Sequence, residues 1–246
     1  MQGRTVLVTG ASSGIGRETA ILLSELGATV ILAGRDVPRL EETRARMQGS
    51  VHRVESFDLT TAAAIPGWIK QIAAETGPIH GLVHSAGMHQ AIPLRILTAS
   101  KAEELMSINF TSAVMLVKGF RQKGCAVPGS SIVLLSSVAA LAGQPAISIY
   151  SASKAALIGF GRAAAMELAG EGIRVNCIAP GYVATEMAEG LREKLTPEQF
   201  ESIQRMHPLG IGRPRDVAHA IAFLLADTGR WITGTTLVVD GGYTAQ

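Results

Sequence analysis

Cysteine, clustered charge and long apolar runs are all scarce in this sequence, and each scarcity argues against a class of protein. Only Cys125 and Cys177 are present, far apart and without a CxxC pair, so neither a disulfide framework nor a metal site is predicted. The 22 Lys and Arg residues are spread along the chain and leave a net charge of only +2, so nucleic acid is not an expected partner. No apolar run approaches the roughly 20 residues of a membrane span. With no export or lipidation signal in the first residues, a cytoplasmic protein is expected.

The chain is long enough for one large core. It has 246 residues, 47% of them apolar, and it shows no repeat, low-complexity segment or linker. We therefore predict a single domain over residues 1–246.

Short β-rich runs alternate with longer amphipathic stretches. The run Ile132, Val133, Leu134 is apolar at consecutive positions, which is typical of a strand buried on both faces of a parallel sheet. The pattern predicts an α/β doubly wound Rossmann fold, in which a seven-stranded parallel sheet has helices on both faces. Strands are predicted at 5–9, 29–33, 51–56, 79–84, 131–135, 174–178 and 236–239, and helices at 15–26, 37–47, 62–76, 100–118 and 149–169. Residues 179–214 are predicted to be a long loop with one short helix around 197–206.

A glycine-rich turn follows the first predicted strand. Gly10 permits a sharp turn, Gly14 lets a pyrophosphate approach bare backbone N–H groups, and Gly16 allows close packing of the helix on the strand. The start of the following helix adds oriented donors and positive partial charge. Such turns also make purely structural connections, but this one joins a strand to a helix at the start of a βαβ unit. It therefore predicts a dinucleotide site that comprises Gly10, Ser12, Ser13, Gly14, Ile15 and Gly16.

The end of the second strand indicates which dinucleotide binds. Gly34 stands where an acidic residue would bind the ribose 2′-hydroxyl of NAD(H), and Arg35 can form a planar fork to a 2′-phosphate. NADP(H) is therefore favoured over NAD(H). The alternative is that Arg35 is only a solvated residue at a helix start, where Asp36 would be the N-cap.

A candidate catalytic group lies in the second half of the chain. Tyr150 and Lys154 stand at i and i+4 on one helix face, where the ammonium is expected to lower the pKa of the phenol. Ser137 follows the end of a buried strand, at the sheet edge where parallel sheets bind ligands. A Tyr-x-x-x-Lys pair alone is usually structural, but together with Ser137 and the glycine-rich turn it predicts proton transfer to a carbonyl.

These motifs resemble the short-chain dehydrogenase/reductase family over essentially the whole chain. The resemblance also rests on Asp58-Leu59, on Asn109 and on the segment from Pro180 to Thr185. It implies that Tyr150 is the general acid in reduction, that Lys154 holds the nicotinamide ribose, that Ser137 positions the carbonyl and that Asn109 orients a proton-relay water. It further implies that Asp58 binds the adenine and Thr185 the nicotinamide amide. The other cofactor-binding residues that it implies are Leu59, Ala86, Gly87, Pro180, Gly181 and Val183, and Tyr150 and Lys154 also contact the cofactor.

The sequence departs from the family pattern after the fourth strand. The usual Asn-Asn-Ala-Gly is here His84-Ser85-Ala86-Gly87. The first Asn of that motif is a structural hydrogen-bonding residue, so His84 must replace or change those bonds. We expect His84 to be structural rather than catalytic.

The substrate is less constrained. The closing Asp240-Gly241-Gly242 and the overall length are closest to the 3-oxoacyl-acyl-carrier-protein reductases, so a 3-oxoacyl thioester on an acyl carrier protein is one candidate. Glu171 stands where those reductases tend to carry a basic residue and would repel an acidic carrier. Lys118, Arg121 and Lys123 either supply a basic patch or are the solvated end of a helix. A substrate loop at about 182–213, with Met187, Leu191 and Leu195, either lines an apolar pocket or packs onto the domain.

Two other functions stay open. One is an NAD-dependent alcohol, sugar or steroid dehydrogenase. The other is a dinucleotide-binding regulatory protein without turnover, against which the intact Ser137, Tyr150, Lys154 and Asn109 argue. The resemblance also implies a homotetramer with the fourth and fifth predicted helices and the last strand at its interfaces.

Overall fold

The computed structural model describes residues 1–193 and 195–246 and contains one parallel sheet. Its seven strands lie in the order β3-β2-β1-β4-β5-β6-β7, and every neighbouring pair is parallel. The strands are β1 (Thr5–Thr9), β2 (Thr29–Gly34), β3 (Arg53–Ser56), β4 (Ile79–His84), β5 (Ala126–Leu135), β6 (Arg174–Pro180) and β7 (Thr236–Val239). The order reverses between β1 and β4, as in doubly wound folds. The predicted fold class is therefore confirmed.

Helices cover both faces of this sheet. They are α1 (Gly14–Glu25), α2 (Val37–Ala45), α3 (Ile65–Thr76), α4 (Ala99–Met106), α5 (Ser112–Phe120), α6 (Ser148–Ala169), α7 (Glu186–Arg192), α8 (Pro197–Arg205) and α9 (Pro214–Leu225). One buried apolar cluster joins the sheet to α3, α5 and α6, and a second joins it to α1, α2 and α9. Burial on both faces explains why β5 is apolar at consecutive positions.

Most sequence-based boundaries agree with the structure to within two residues, and the main differences are these. Strand β3 is shorter and β5 longer than predicted, and the helix expected at 100–118 is divided into α4 and α5 by a π-helical turn at Ser107–Thr111. The segment expected to be a loop with one helix holds two, α7 and α8, and α9 follows it. Helix α7 was missed because seven residues are too few to show a helical period. Helix α9 packs against α1, and its buried residues recur at helical spacing, so the sequence carried a signal for this helix that was missed.

Helix ends follow the local sequence more closely. Asp36 is the N-cap of α2, and its carboxylate accepts a hydrogen bond from the N–H of Arg39 at 3.1 Å. Gly77 ends α3 with a positive φ of 82°, as expected of a glycine at a helix C-terminus.

Candidate active site

A crevice of about 1190 Å³ opens at the carboxyl ends of the strands, beside the neighbouring strands β1 and β4, between which the strand order reverses. This is the edge at which doubly wound sheets bind ligands. Of the residues predicted to be catalytic or to bind the cofactor, those that line the crevice are Gly10, Ser12, Ser13, Gly14, Ile15, Arg35, Asp58, Leu59, Ala86, Gly87, Ser137, Tyr150, Lys154, Pro180, Gly181, Val183 and Thr185. The other two, Gly16 and Asn109, are buried behind its wall.

The glycine-rich turn is so closely packed that side chains are excluded. A Cβ on Gly10, which has a φ of +68°, would lie 2.7 Å from the backbone nitrogen of Ala86. A Cβ on Gly16 would lie 2.2 Å from the carbonyl oxygen of Gly10, so α1 rests directly on the turn. Bare backbone therefore faces the crevice at the first turn of α1, and this arrangement fits the pyrophosphate of a dinucleotide.

Three side chains of different chemistry meet in the same crevice. Ser137 follows β5, while Tyr150 and Lys154 lie in the first two turns of α6. Tyr150 and Ser137 share a side-chain hydrogen bond. The Nζ of Lys154 lies 5.9 Å from the centre of the Tyr150 ring and donates to the carbonyl oxygen of Leu135 at 2.8 Å. The structure thus brings a hydroxyl, a phenol and an ammonium together.

Burial governs the protonation of the phenol and the ammonium. It lowers the pKa of Lys154 to about 8, because the surrounding protein disfavours the charged form. Burial also raises the pKa of Tyr150, and the hydrogen bond with Ser137 only partly opposes this effect. The lowered phenol pKa expected from Lys154 is therefore wrong for this structure. Sequence spacing placed the ammonium beside the ring, but it did not reveal how little water reaches the pair.

Asn109 lies in the π-helical turn between α4 and α5, a feature that often occurs at functional sites. Its side-chain amide accepts from the N–H of Met88 at 2.8 Å and donates to the carbonyl oxygen of Met88 at 3.0 Å. It also donates to Ser153 Oγ at 3.0 Å, one turn from Tyr150. Asn109 thus ties the segment after β4 to the helix that carries Tyr150.

His84 is fully buried at the end of β4. Its Nδ1 lies 3.0 Å from the hydroxyl of Thr9, and its Nε2 lies 3.4 Å from that of Ser112. Ser112 already donates to Ile108, so Nε2 of His84 carries the proton and Nδ1 accepts one. Burial, reinforced by the charge of Lys154, lowers the pKa of His84 to about 3. It is therefore a neutral link between β1, β4 and α5, in agreement with the expected structural role.

Arg35 and Asp58 lie together at the far end of the crevice from Tyr150. The side chain of Arg35 is exposed and lines the crevice. Its charge contributes to lowering the pKa of Asp58, after a larger effect from the backbone N–H of Thr60, which donates to the carboxylate at 3.0 Å. A cation and a carboxylate are thus available at this end for polar groups of an adenosine.

His89 and Glu186 are among the residues of the crevice that the sequence did not single out. The His89 ring meets the Tyr150 ring edge to face, with centroids 4.6 Å apart. Its position two residues after Ala86-Gly87, beyond a strand end, was a signal that could have identified it. Glu186 receives a hydrogen bond from the N–H of Gly14 at 2.9 Å. No sequence signal indicated that contact, because 172 residues separate the two.

The described residues give no sign of a metal centre or a membrane segment. Within 1–193 and 195–246, no three His, Cys, Asp or Glu side chains are grouped to hold a metal ion. None of the helices described has the length and apolar character needed to cross a bilayer.

Comparisons with known proteins assign the chain to a family. Residues 10–244 match a family model described as enoyl-(acyl carrier protein) reductase. A cis-4-hydroxycyclohexanecarboxylate dehydrogenase of Sinomonas cyclohexanicum is 36% identical, with 98% of this chain and 97% of the relative covered. A 3-oxoacyl-[acyl-carrier-protein] reductase of Haemophilus influenzae is also 36% identical, with 98% of each covered.

A solved structure agrees with these relatives. It is described as a short-chain dehydrogenase/reductase, glucose/ribitol dehydrogenase, from Brucella melitensis. It superposes with a TM-score of 0.91 at 31% identity and covers 99% of this chain and 97% of its own. The chain belongs to the short-chain dehydrogenase/reductase family. It is an oxidoreductase that acts on CH–OH and C=O groups, and the family implies NAD(H) or NADP(H) as cofactor.

Proposed function

We propose that this protein is an NADP(H)-dependent reductase that converts a ketone into a secondary alcohol. The observation that carries the proposal is the meeting of Ser137, Tyr150 and Lys154 in the crevice that the glycine-rich turn also lines. The cofactor, when bound, supplies the hydride. The side chains of the crevice then have to orient the carbonyl and provide a proton.

Ser137 is arranged to orient the carbonyl. Its Oγ accepts a hydrogen bond from the N–H of Ala139 at 3.1 Å, which fixes the position of the oxygen, and its hydroxyl, which is hydrogen-bonded with Tyr150, can turn its proton to a bound carbonyl. Donation to the substrate oxygen stabilises the negative charge that develops there during reduction.

Tyr150 is the proposed proton donor. Because burial raises its pKa, the phenol stays protonated at neutral pH, which is the form that reduction requires. Lys154, with a pKa of about 8, is mostly charged at pH 7 and stabilises the phenolate that remains after transfer. Asn109 is a positioning residue in this scheme, because it holds Ser153 and the segment of Met88 around the phenol.

The experiment that tests this proposal is Tyr150→Phe. The variant should bind NADPH as the wild type does, while kcat falls about 10²- to 10⁴-fold because the proton donor is lost. NADPH oxidation is measured with a panel of ketones, 3-oxoacyl thioesters and carrier-bound 3-oxoacyl groups. Tyr243→Phe is the control. It removes a different phenol oxygen, which accepts a hydrogen bond from the side chain of Gln144 at 2.8 Å, and it should cause a much smaller loss of kcat.

Three outcomes of this assay contradict parts of the proposal. Unchanged turnover in Tyr150→Phe removes the proposed acid. Tight NADPH binding by the wild type without turnover on any carbonyl favours the regulatory protein. Turnover that depends on NADH favours the NAD-dependent alcohol, sugar or steroid dehydrogenase, a possibility supported by the name of the Brucella melitensis structure.

The proposed substrate is a ketone with an apolar part. Leu191 lines the crevice from α7, and Leu195 and Met206 line it from the segments that follow α7 and α8. A 3-oxoacyl thioester on an acyl carrier protein is the second candidate, supported by the name of the Haemophilus influenzae relative. Against carrier docking, Arg121 of the expected basic patch is paired with Glu171 at 2.6 Å, which reduces its positive charge.

We also infer a homotetramer. The inference rests on the family resemblance and is supported by exposed apolar side chains on α6, on α9 and just before β7. Met166 is 77% exposed, Phe223 42% and Trp231 95%. A partner subunit that covered these side chains would remove their apolar surface from water.

A further inference from the structure

The carboxylate of Glu186 lies on the anion-binding end of α1. Its Oε2 accepts from the backbone N–H of Gly14 at 2.9 Å, and its Oε1 lies 3.3 Å from Nη1 of Arg17. Gly14 is the first residue of α1, whose N–H groups have no acceptor within the helix. A negatively charged group is stabilised there by those donors and by the helix dipole.

We propose that Glu186 is an internal competitor for the cofactor pyrophosphate and thereby sets the affinity for the dinucleotide. The inference rests on the proposed dinucleotide-dependent function and deepens it. The residue has to leave Gly14 before a phosphate oxygen can accept from the same N–H.

The competition follows from the number of donors and from charge. The single N–H of Gly14 has one proton to donate, and Glu186 now accepts it at 2.9 Å. A phosphate and a carboxylate held against the same donors repel each other. The cofactor therefore gains its contacts with the turn only after the contacts of Glu186 are broken. The free energy needed to break them lowers the measured affinity for the cofactor.

Arg17 stays behind when Glu186 leaves. Its side chain is only 16% exposed and is held by hydrogen bonds, because Nε donates to Thr43 Oγ1 at 3.2 Å and Nη2 donates to the carbonyl oxygen of Ser12. These partners belong to the turn and to α2 rather than to the segment of Glu186. A fixed guanidinium thus remains beside Gly14 to meet the incoming negative charge.

The departure of Glu186 also affects the start of α7. The residue directly follows Thr185, the N-cap of that helix, and a Cβ on Gly14 would lie 3.1 Å from Thr185 Cγ2. No residue of α7 is buried. Contacts with the turn of α1 are therefore one restraint on this helix, beside the hydrogen bond that Tyr182 donates to the carbonyl oxygen of Ala188 at 2.9 Å, and cofactor binding changes them.

The test compares dinucleotide affinity in three proteins by isothermal titration with NADPH. Glu186→Gln keeps the shape but removes the charge, and we expect the Kd to fall about three- to tenfold. Glu186→Ala removes the acceptor as well and should bind at least as tightly. Glu189→Gln is the matched control, because Glu189 is an exposed acid on the same helix and does not line the crevice. Its Kd should equal that of the wild type.

A second ligand separates competition at the pyrophosphate from a general change in charge. Adenosine 2′-monophosphate carries no pyrophosphate, so its Kd should be the same in the wild type and in Glu186→Gln. A fall in its Kd equal to that for NADPH overturns the inference. So does an NADPH affinity that neither Glu186→Gln nor Glu186→Ala increases, even though the proposed function then stands. A wild type that binds no dinucleotide overturns the proposed function and this inference with it.

Discussion

The two walls of the crevice are built differently. The wall formed by β1, β4, β5 and α6 belongs to the core: Val6, Leu7 and Val8 of β1 are fully buried, and Lys154 is 5% exposed. In the opposite wall, α7 and α8 contain no buried residue. The first wall carries the proposed proton donor and the glycine-rich turn, while the second carries apolar side chains facing the proposed substrate position.

This difference shows that one wall of the crevice holds its groups in fixed positions, while the other wall can adapt its shape. Proton transfer requires groups held in a fixed geometry, and close packing with satisfied hydrogen bonds provides it. Recognition of a substrate tolerates movement, and segments with few buried contacts open at low free-energy cost. Three predictions test whether the two walls respond as differently as their packing implies.

The largest difference is expected between two glycines. Gly16→Ala places a Cβ 2.2 Å from the carbonyl oxygen of Gly10, so it should lower the free energy of unfolding by about 3 kcal/mol and abolish NADPH binding. Gly190→Ala in α7 meets nothing within 4 Å and should raise helix stability by about 0.5–1 kcal/mol. Urea unfolding and NADPH titration measure both effects. Equal stability of the two variants would contradict the inference that the first wall is closely packed and the second is not.

A smaller effect is expected from pH, through His84 in the buried wall. Burial lowers its pKa from 6.5 to about 3, so the unfolded chain takes up a proton that the folded chain refuses. The stabilising contribution is complete above pH 6.5 and is lost as pH falls towards 3. As the pH falls through that window, the free energy of unfolding should decrease faster in the wild type than in His84→Asn. The difference between the two slopes should be about 1.4 kcal/mol per pH unit.

Urea unfolding at several pH values between 7 and 4 measures these slopes. His84→Asn is the reference for the wild type, because Asn has no titrating group and stands at this position in the family pattern. Parallel slopes in the two proteins would show that His84 is not held neutral by the buried wall.

The smallest expected effect is a change of cofactor preference at the exposed end of the crevice. Arg35→Asp removes the proposed fork to the 2′-phosphate, so the Kd for NADPH should rise about tenfold or more while that for NADH stays the same or falls. Arg44→Asp is the control, because Arg44 lies on α2, pairs with Glu41 and does not line the crevice. A wild type that prefers NADH would show that the interpretation of Arg35 is wrong.

How far the sequence predicted the structure depended on the range of the interactions involved. The strands were found because burial on both faces leaves consecutive apolar residues, and the turn was found because Gly10 and Gly16 leave no room for a side chain. Helix α7 was missed because it buries nothing and is short. The pKa of Tyr150 was predicted in the wrong direction because burial depends on segments distant in the chain.

The sequence by itself determined the fold class, the position of the glycine-rich turn and the pairing of Tyr150 with Lys154. Each follows from local chemistry: the period of apolar residues, the freedom of glycine and the spacing of a helical turn. Only the tertiary structure decided that Glu186 meets Gly14, that Arg121 pairs with Glu171 and that His84 is held neutral. These contacts join residues far apart in the chain, and no local pattern records which distant groups will share a donor or exclude water.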